Sequence, residues 1–534
     1  MKGLTRLMPT LQHNADVIVV GAGSAGAAIT RRLVDHGLTV LLLEAGRPDT
    51  NPAIADPARM FELWSSPDDW AYQTVPQAQA CDRRLNWPRG KVLGGSSSLN
   101  AMIYVRGARF DYDHWAYLGN AGWSWADVLP VFRRMEDYDG GASELHGVGG
   151  PLHVLTRYQP DPVQRSVMAG FAELGLPVNK DYNSGVLDGV SSMALTIKDG
   201  RRHSTAAAYL RPIETNPNLT VLTGAHARRL TMDGGRCVGV QWLRGGRLES
   251  ATAALEVVVS AGTIESPRLL MMSGIGDAGH LRAVGVPVTA DLPGVGRNLH
   301  DHVLAPVVLT TEQTIAPPAP GLPLAQTHLW ARSRPGLLTP DVQPIVFGFP
   351  LYSQAWMTGP ENGISLLAGM VRPNSRGSIR LTGPNPEDPL LIDPATFTCP
   401  EDLAALVFAV ELCREAHGAE AMRGYGFREQ YPGPQLRSGD ALSEYVRRTA
   451  MTYHHQVGTC KMGVDAASVV DPRLRVYGVE GLRVADASIM PAVTSGNTNA
   501  PSVLIGERAA DFVLTAAGLL TSEHADFGLD EARR

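Results

Sequence analysis

The stretch that most constrains this chain runs from Asp16 to Gly46 and reads DVIVVGAGSAGAAITRRLVDHGLTVLLLEAG. Val17 to Val20 is a short apolar run, typical of a strand buried on both faces. Gly21, Gly23 and Gly26 follow in G-x-G-x-x-G spacing. Ala27 to His36 has helical composition and meets Gly37, after which a second apolar run, Leu38 to Leu43, ends at Glu44. This is a β-α-β unit with a phosphate-binding turn. Gly21 permits the turn, Gly23 lets a pyrophosphate approach the backbone, and Gly26 lets helix and strand pack closely. The helix N-terminus, with Ser24 and Ala25 at its mouth, offers free N–H groups and a partial positive charge to phosphate. Glu44, followed by Ala45, lies where a carboxylate accepts bonds from a ribose, about 20 residues on. The unit says dinucleotide; alone it does not choose between FAD and NAD.

A length of 534 residues is too great for one simple core and calls for two domains or one large, elaborated one. A formal net charge of −6 leaves no basic surface for nucleic acid or an anionic membrane. No run of about 18 apolar residues is present, so no membrane span is expected, and residues 1–15 lack the apolar core of a signal peptide. Cys81, Cys237, Cys399, Cys413 and Cys460 show neither C-x-x-C nor metal-ligand spacing. They read as free thiols of a cytoplasmic protein without a metal site.

The segment GKVLGGSSSLNAMIYVRG, Gly90 to Gly107, places small residues from Gly94 to Ser98 where backbone can lie flat against something large. Gly90 to Asp113 resembles the first signature of the glucose–methanol–choline (GMC) oxidoreductases, FAD-dependent enzymes acting on alcohols. Gly262 to Gly276, GTIESPRLLMMSGIG, resembles the second, and Asp291 to His302 the segment that closes the N-terminal half. The resemblance extends from about Asp16 to Leu514. It implies an α/β fold: a Rossmann-type FAD-binding domain (14–155, 198–310 and 459–525) and a substrate-binding domain (156–197 and 311–458) with an antiparallel sheet covered by helices. Ser375 to Gly383 alternates as a strand, and 401–418 and 440–449 have helical pattern. It also implies FAD contacts at Gly21, Gly23, Ser24, Ala25, Gly26, Glu44, Ala45, Val92, Gly94, Gly95, Asn100, Ala101, Met102, Ile103, Ala227, Asp486, Ala487 and Asn499. Some members attach FAD through a His after the Gly-Gly-Ser run. Leu99 stands there, so FAD is expected to be bound non-covalently.

The chemistry is expected near the C-terminus, in TYHHQVGTCKMG (Thr452 to Gly463) and LRVADASIMPAVTSGNTNAPSVLIGERAADFVL (Leu482 to Leu514). A strand at Leu482 to Val484 leads through a loop to an amphipathic helix beginning near Pro501, a residue tolerated in a first turn. The positive end of that helix dipole suits the charge that develops on a flavin as it takes up hydride. Alcohol oxidation also needs a base within hydrogen-bond reach of the hydroxyl, and neutral imidazole suits the task. GMC enzymes pair a His with a later His or Asn; the pair carries over to His455 and Asn499. His454 is the alternative base, but the family's His lies three positions before the Gly-Thr pair, here Gly458–Thr459, which selects His455. Gln456 replaces the family's usual proline. The reading is oxidation of a primary or secondary alcohol to an aldehyde or ketone, by hydride transfer to flavin N5 with His455 as base. Oxygen or another electron acceptor would then reoxidise the flavin. The alternative is a lyase that keeps its FAD oxidised.

Overall fold

The apolar runs of the opening unit form neighbouring strands of one sheet. In the computed structural model, which describes residues 12–437 and 439–521, β1 spans Gln12–Val20, α1 Ser24–Asp35 and β2 Val40–Glu44. The domain limit at 525 and residues 1–11 lie outside the described residues. β1 pairs in parallel with β2 and with Arg247–Val259. Leu219–Thr223 adds in parallel to β2, and Leu482–Val484 to Arg247–Val259. Strands covered on both faces must be apolar, which is why 17–20, 40–43 and 257–259 read as continuous runs, whereas the edge strand Leu219–Thr223 is partly exposed and alternates. Val20, Glu44, Val259 and Val484 therefore end at the same edge of the sheet. Ligands of open α/β sheets bind at the carboxyl ends of the strands. Arg236–Arg244 and His226–Asp233 extend the sheet antiparallel beyond Arg247–Val259.

A second seven-stranded sheet is wholly antiparallel. Its order is Arg428–Tyr431, Val303–Thr310, Gly363–Met370, Ile345–Phe347, Ala325–Trp330 and Gly189–Ser192, with Met451–Thr452 also on Val303–Thr310. Helices Pro162–Glu173, Pro400–His417 and Asp440–Thr449 cover it. Phe171, Leu406, Val410 and Cys413 form a core with Val307 and Leu366 of the strands. Two expectations change. The fully buried strand Val303–Thr310 is central to this sheet, so the limit at 310 moves back to about His302. Its unbroken apolar pattern, VLAPVVLT, suits a buried strand of either domain. Gly377–Leu381 is a strand as expected, but of a small separate sheet with Arg297–Leu299 and Leu390–Asp393.

The C-terminal helix, Asn499–Ala516, is not amphipathic in its setting. Residues around its whole circumference are buried, including Glu507, Arg508 and Asp511. It packs against α1, and a Cβ on Gly506 would lie 2.4 Å from the Ala25 carbonyl oxygen. Glu507 is satisfied by Arg32 Nε (2.8 Å) and Nη2 (3.0 Å), Arg134 Nε (3.1 Å) and the Tyr209 hydroxyl (2.9 Å). Among the described residues no helix is long and apolar enough to cross a membrane.

Removing a partner from a buried ion cluster strands the opposite charges at a cost of about 3–5 kcal/mol. Glu507→Ala is therefore expected to lower the chemical-denaturation midpoint clearly. A midpoint equal to that of the parent protein would contradict this role.

Candidate active site

A cavity of about 760 Å³ opens along the carboxyl edge of the parallel sheet. The three motif glycines answer to different constraints there. Gly21 has φ +101°, and a Cβ on it would lie 2.4 Å from the Ser260 carbonyl oxygen. A Cβ on Gly26 would lie 1.9 Å from the Gly21 carbonyl oxygen. The protein's own packing demands both. A Cβ on Gly23 would meet only Gly95 Cα, at 3.9 Å. Nothing in the protein forbids a side chain at Gly23, and the space beside it is the cavity, as close approach by a pyrophosphate requires. Gly95, from the second glycine-rich segment, faces Gly23 directly. At one end of this space Glu44 accepts bonds from the N–H groups of Ala22 (3.0 Å) and Gly46 (2.8 Å). Burial raises its carboxyl to about 7 against these bonds. Ala227, at the start of its strand, lines the cavity with Glu44. The arrangement fits a dinucleotide.

Ser24, Ala25, Ala45, Gly95, Asn100, Ala101, Ile103, Asp486, Ala487 and Asn499 also line the cavity. Gly26, Val92, Gly94 and Met102 do not; they stand behind its wall. Val92 packs in a small core with Ile54, Leu63 and Leu99. The Gly94 N–H donates to the Ala22 carbonyl (2.9 Å), and Met102 is fully buried with φ +59°. These four shape the backbone that other residues present. The Asp486 carboxylate is committed to the protein, accepting from Gly262 N–H (2.9 Å), Ser266 Oγ (2.5 Å) and Ser488 N–H (2.8 Å).

At the other end lies His455, 6% exposed. Its Nε2 is 3.1 Å from Asn497 Nδ2, and its Nδ1 is 2.9 Å from His302 Nδ1. Asn499 is not its partner: Asn499 Oδ1 accepts from Ser24 Oγ at 2.7 Å, beside the glycine turn. The pair in space is His455–Asn497. The helix begins at Asn499, not near Pro501, so Asn499 belongs to its first turn and Asn497 to the loop that faces His455. Both asparagines stand in GNTNAPS, and the point where the helix starts separates them. Burial, with His302, His454 and Arg89 nearby, pushes the His455 imidazole well below its ordinary range, so it is neutral and keeps a lone pair.

The backbone carrying His455 is held from two sides. Asp301 accepts from His455 N–H (2.8 Å), Thr452 Oγ1 (2.5 Å) and Gln456 Nε2 (3.0 Å). Gln456 Nε2 also reaches Thr452 Oγ1 (2.8 Å), so an amide in the place of the family's proline ties the segment to Asp301. Arg89 Nη2 donates to the His454 carbonyl (2.7 Å). His454 itself has φ +66° and lies against Trp64, ring centroids 4.7 Å apart. Burial, aided by Arg89, lowers it to about 3. Sequence reasoning missed Asn497, Asp301 and His302. The last two lie in the segment Asp291 to His302, visible as a motif but silent about its role.

Profiles described as GMC oxidoreductase match residues 15–304 and 373–506. The chain belongs to the GMC oxidoreductase family. It is 38% identical over 533 residues to a protein of Brucella suis named oxygen-dependent choline dehydrogenase, covering 95% of this chain and 97% of that one. Its fold matches pyridoxine 4-oxidase from Mesorbium loti with a TM-score of 0.89 at 36% identity, over 93% of this chain and 99% of that one. It matches a formate oxidase of Aspergillus oryzae with a TM-score of 0.88 at 26% identity, over 95% and 99%.

The glycine geometry separates two substitutions. Gly23→Ala is expected to leave thermal stability near the parent's and to weaken FAD binding at least tenfold by titration. Gly26→Ala is expected to destabilise the fold itself. Equal effects of both on stability would contradict the assignment. For Glu44, the ionised carboxylate is the form that accepts from a ribose, and its pKa is near 7. FAD affinity of the apoprotein should therefore rise as pH increases through about 7, and Glu44→Gln should flatten that dependence. A pH-independent affinity in the parent protein would contradict it.

Proposed function

We propose that this protein oxidises a primary or secondary alcohol to an aldehyde or ketone, with FAD bound non-covalently and His455 as base. The observation that carries this is the His455–Asn497 pair, 3.1 Å apart, opening into the same cavity as the Gly23–Gly95 turn. FAD, when bound, supplies the acceptor for the hydride that leaves the carbinol carbon. His455 Nε2 takes the hydroxyl proton, for which its neutral state prepares it. The Asn497 amide holds the oxygen without competing for that proton. Asp301 and Arg89 keep the base in place through the backbone. The first turn of the C-terminal helix, with Thr498, Asn499 and Ser502 at the cavity wall, offers N–H groups to negative charge. Leu99, buried beside the turn, has no group that could bond to a flavin. Oxygen is the electron sink favoured by the names of the three relatives above, an oxygen-dependent dehydrogenase and two oxidases.

The wall nearest the base is apolar and aromatic: Phe61, Trp64, Leu304, Ile345, Phe347 and Leu367. Among the described residues the carboxylates on the cavity wall are Glu44, Asp69, Glu265 and Asp486. Each is bound within the protein, Asp69 by the N–H groups of Ser65, Ala71 and Arg89, and Glu265 by Tyr72 and Arg268. Aromatic rings alone also suit a quaternary ammonium; the committed carboxylates together with the Arg89 guanidinium on the same wall favour an uncharged alcohol with an aromatic or aliphatic body.

Anaerobic mixing with an aryl-methyl alcohol is expected to bleach the flavin absorbance. His455→Ala and Asn497→Ala should each slow that bleaching at least 100-fold with FAD still bound, whereas His454→Ala should cost less than tenfold. A severe His454→Ala variant beside an active His455→Ala would overturn the assignment. On a substrate panel, kcat/KM for the aryl alcohol should exceed that for choline; the reverse order would overturn the substrate reading.

A further inference from the structure

The contact between two imidazoles at the base carries an inference about how His455 is prepared. His302 Nδ1 and His455 Nδ1 are 2.9 Å apart. Two ring nitrogens at that distance share one proton: one donates and the other accepts. Which one donates follows from the far side of His455. Asn497 Oδ1 accepts from Gln343 Nε2 at 3.2 Å, which turns the Asn497 amide N–H toward His455 Nε2. Nε2 therefore carries a lone pair, and the proton of the neutral ring sits on Nδ1. Nδ1–H then donates to His302 Nδ1, so His302 is neutral with its own proton on Nε2. His302 is fully buried, and its ring stands nearly perpendicular to that of His455, at 87°.

We propose that His302 is a positioning residue that fixes His455 in the Nδ1–H tautomer and so keeps Nε2 an acceptor, whose lone pair the substrate hydroxyl takes over from the Asn497 N–H. The inference rests on His455 being the base. In the step, the hydroxyl O–H bond breaks and an Nε2–H bond forms. The proton on Nδ1 stays where it is, and its hydrogen bond to His302 becomes charge-assisted and stronger as His455 turns cationic. His302 thus accepts a hydrogen bond without ever taking the proton, the part that a buried carboxylate plays behind the histidine of serine hydrolases. Without an acceptor at that position His455 gains nothing from Nδ1–H, and the Nε2–H tautomer, which has no lone pair on the substrate side, becomes populated.

The tautomer can be read directly from ¹⁵N-histidine NMR of the holoenzyme, with the His455 signals assigned by their loss in His455→Gln. The expected pattern is a protonated Nδ1 and an unprotonated Nε2. An Nε2–H pattern in the parent protein would overturn the proposal whatever the variants do. His302→Leu, which removes the acceptor, is expected to shift His455 toward Nε2–H and to slow flavin reduction by about 100-fold, the low end of what a positioned general base contributes. His302→Asn, whose Oδ1 can accept from Nδ1–H, should restore the rate to within about tenfold of the parent and keep the parent tautomer. An unshifted tautomer in a folded His302→Leu, or equal losses in the Leu and Asn variants, would also overturn it. If His455→Gln reduced flavin at the parent rate, the base assignment would fail instead, and the tautomer spectrum would stand apart from that result.

Discussion

The close crossing of α1 and the C-terminal helix is the constraint on which the rest of the site depends. Only a glycine at position 506 lets the two backbones meet at the Ala25 carbonyl. That contact sets the height of the helix start relative to the glycine turn. It brings Asn499 to Ser24 and leaves Asn497, two residues earlier, facing His455. Glu507, one residue beyond the crossing, binds Arg32 of α1 and Arg134 across a sequence separation of several hundred residues. The nucleotide end and the chemical end are thus parts of one rigid arrangement.

The electrostatics of the site follow from burial rather than from a dominant charge. His302, His454 and His455 are enclosed side by side, and each is pushed toward its neutral form. A cluster of three imidazoles would repel itself if charged; neutral, it becomes a set of directed donors and acceptors. The formal charges are placed behind it. Asp301 holds the backbone of His455, and Arg89 holds that of His454. Asp301 acts from behind the cavity, whereas Arg89 also lines its wall. The apolar wall formed by Phe61, Trp64 and Phe347 keeps water from the hydroxyl and leaves substrate choice to shape.

Much of this was legible in the sequence because it rests on local pattern. The β-α-β unit and helices Pro400–His417 and Asp440–Thr449 follow from periodicity and glycine spacing, whereas the antiparallel second sheet is implied by the resemblance to the GMC family, and the strand read from alternation, Gly377–Leu381, lies outside it. What failed was register and depth. Asn497 and Asn499 are chemically identical and two residues apart, and only the capping of one helix tells them apart. Gly94, Val92 and Met102 sit within a conspicuous motif, yet pleat and turn send them away from the ligand space. Asp301 and His302 act on His455 across more than 150 positions, a pairing created solely by strand Val303–Thr310 entering the second sheet beside Met451–Thr452. The same strand moved the domain limit, since an apolar run is compatible with either sheet.

The central claim is that His455 and Asn497 jointly hold the reacting hydroxyl. A crystal structure of the holoenzyme with a slow alcohol substrate or an alcohol-mimicking inhibitor tests it most directly. The account predicts the hydroxyl oxygen within about 3 Å of both His455 Nε2 and the Asn497 amide, with Asn499 still on Ser24. A hydroxyl bound to Asn499 or to His454, with His455 out of reach, would contradict it.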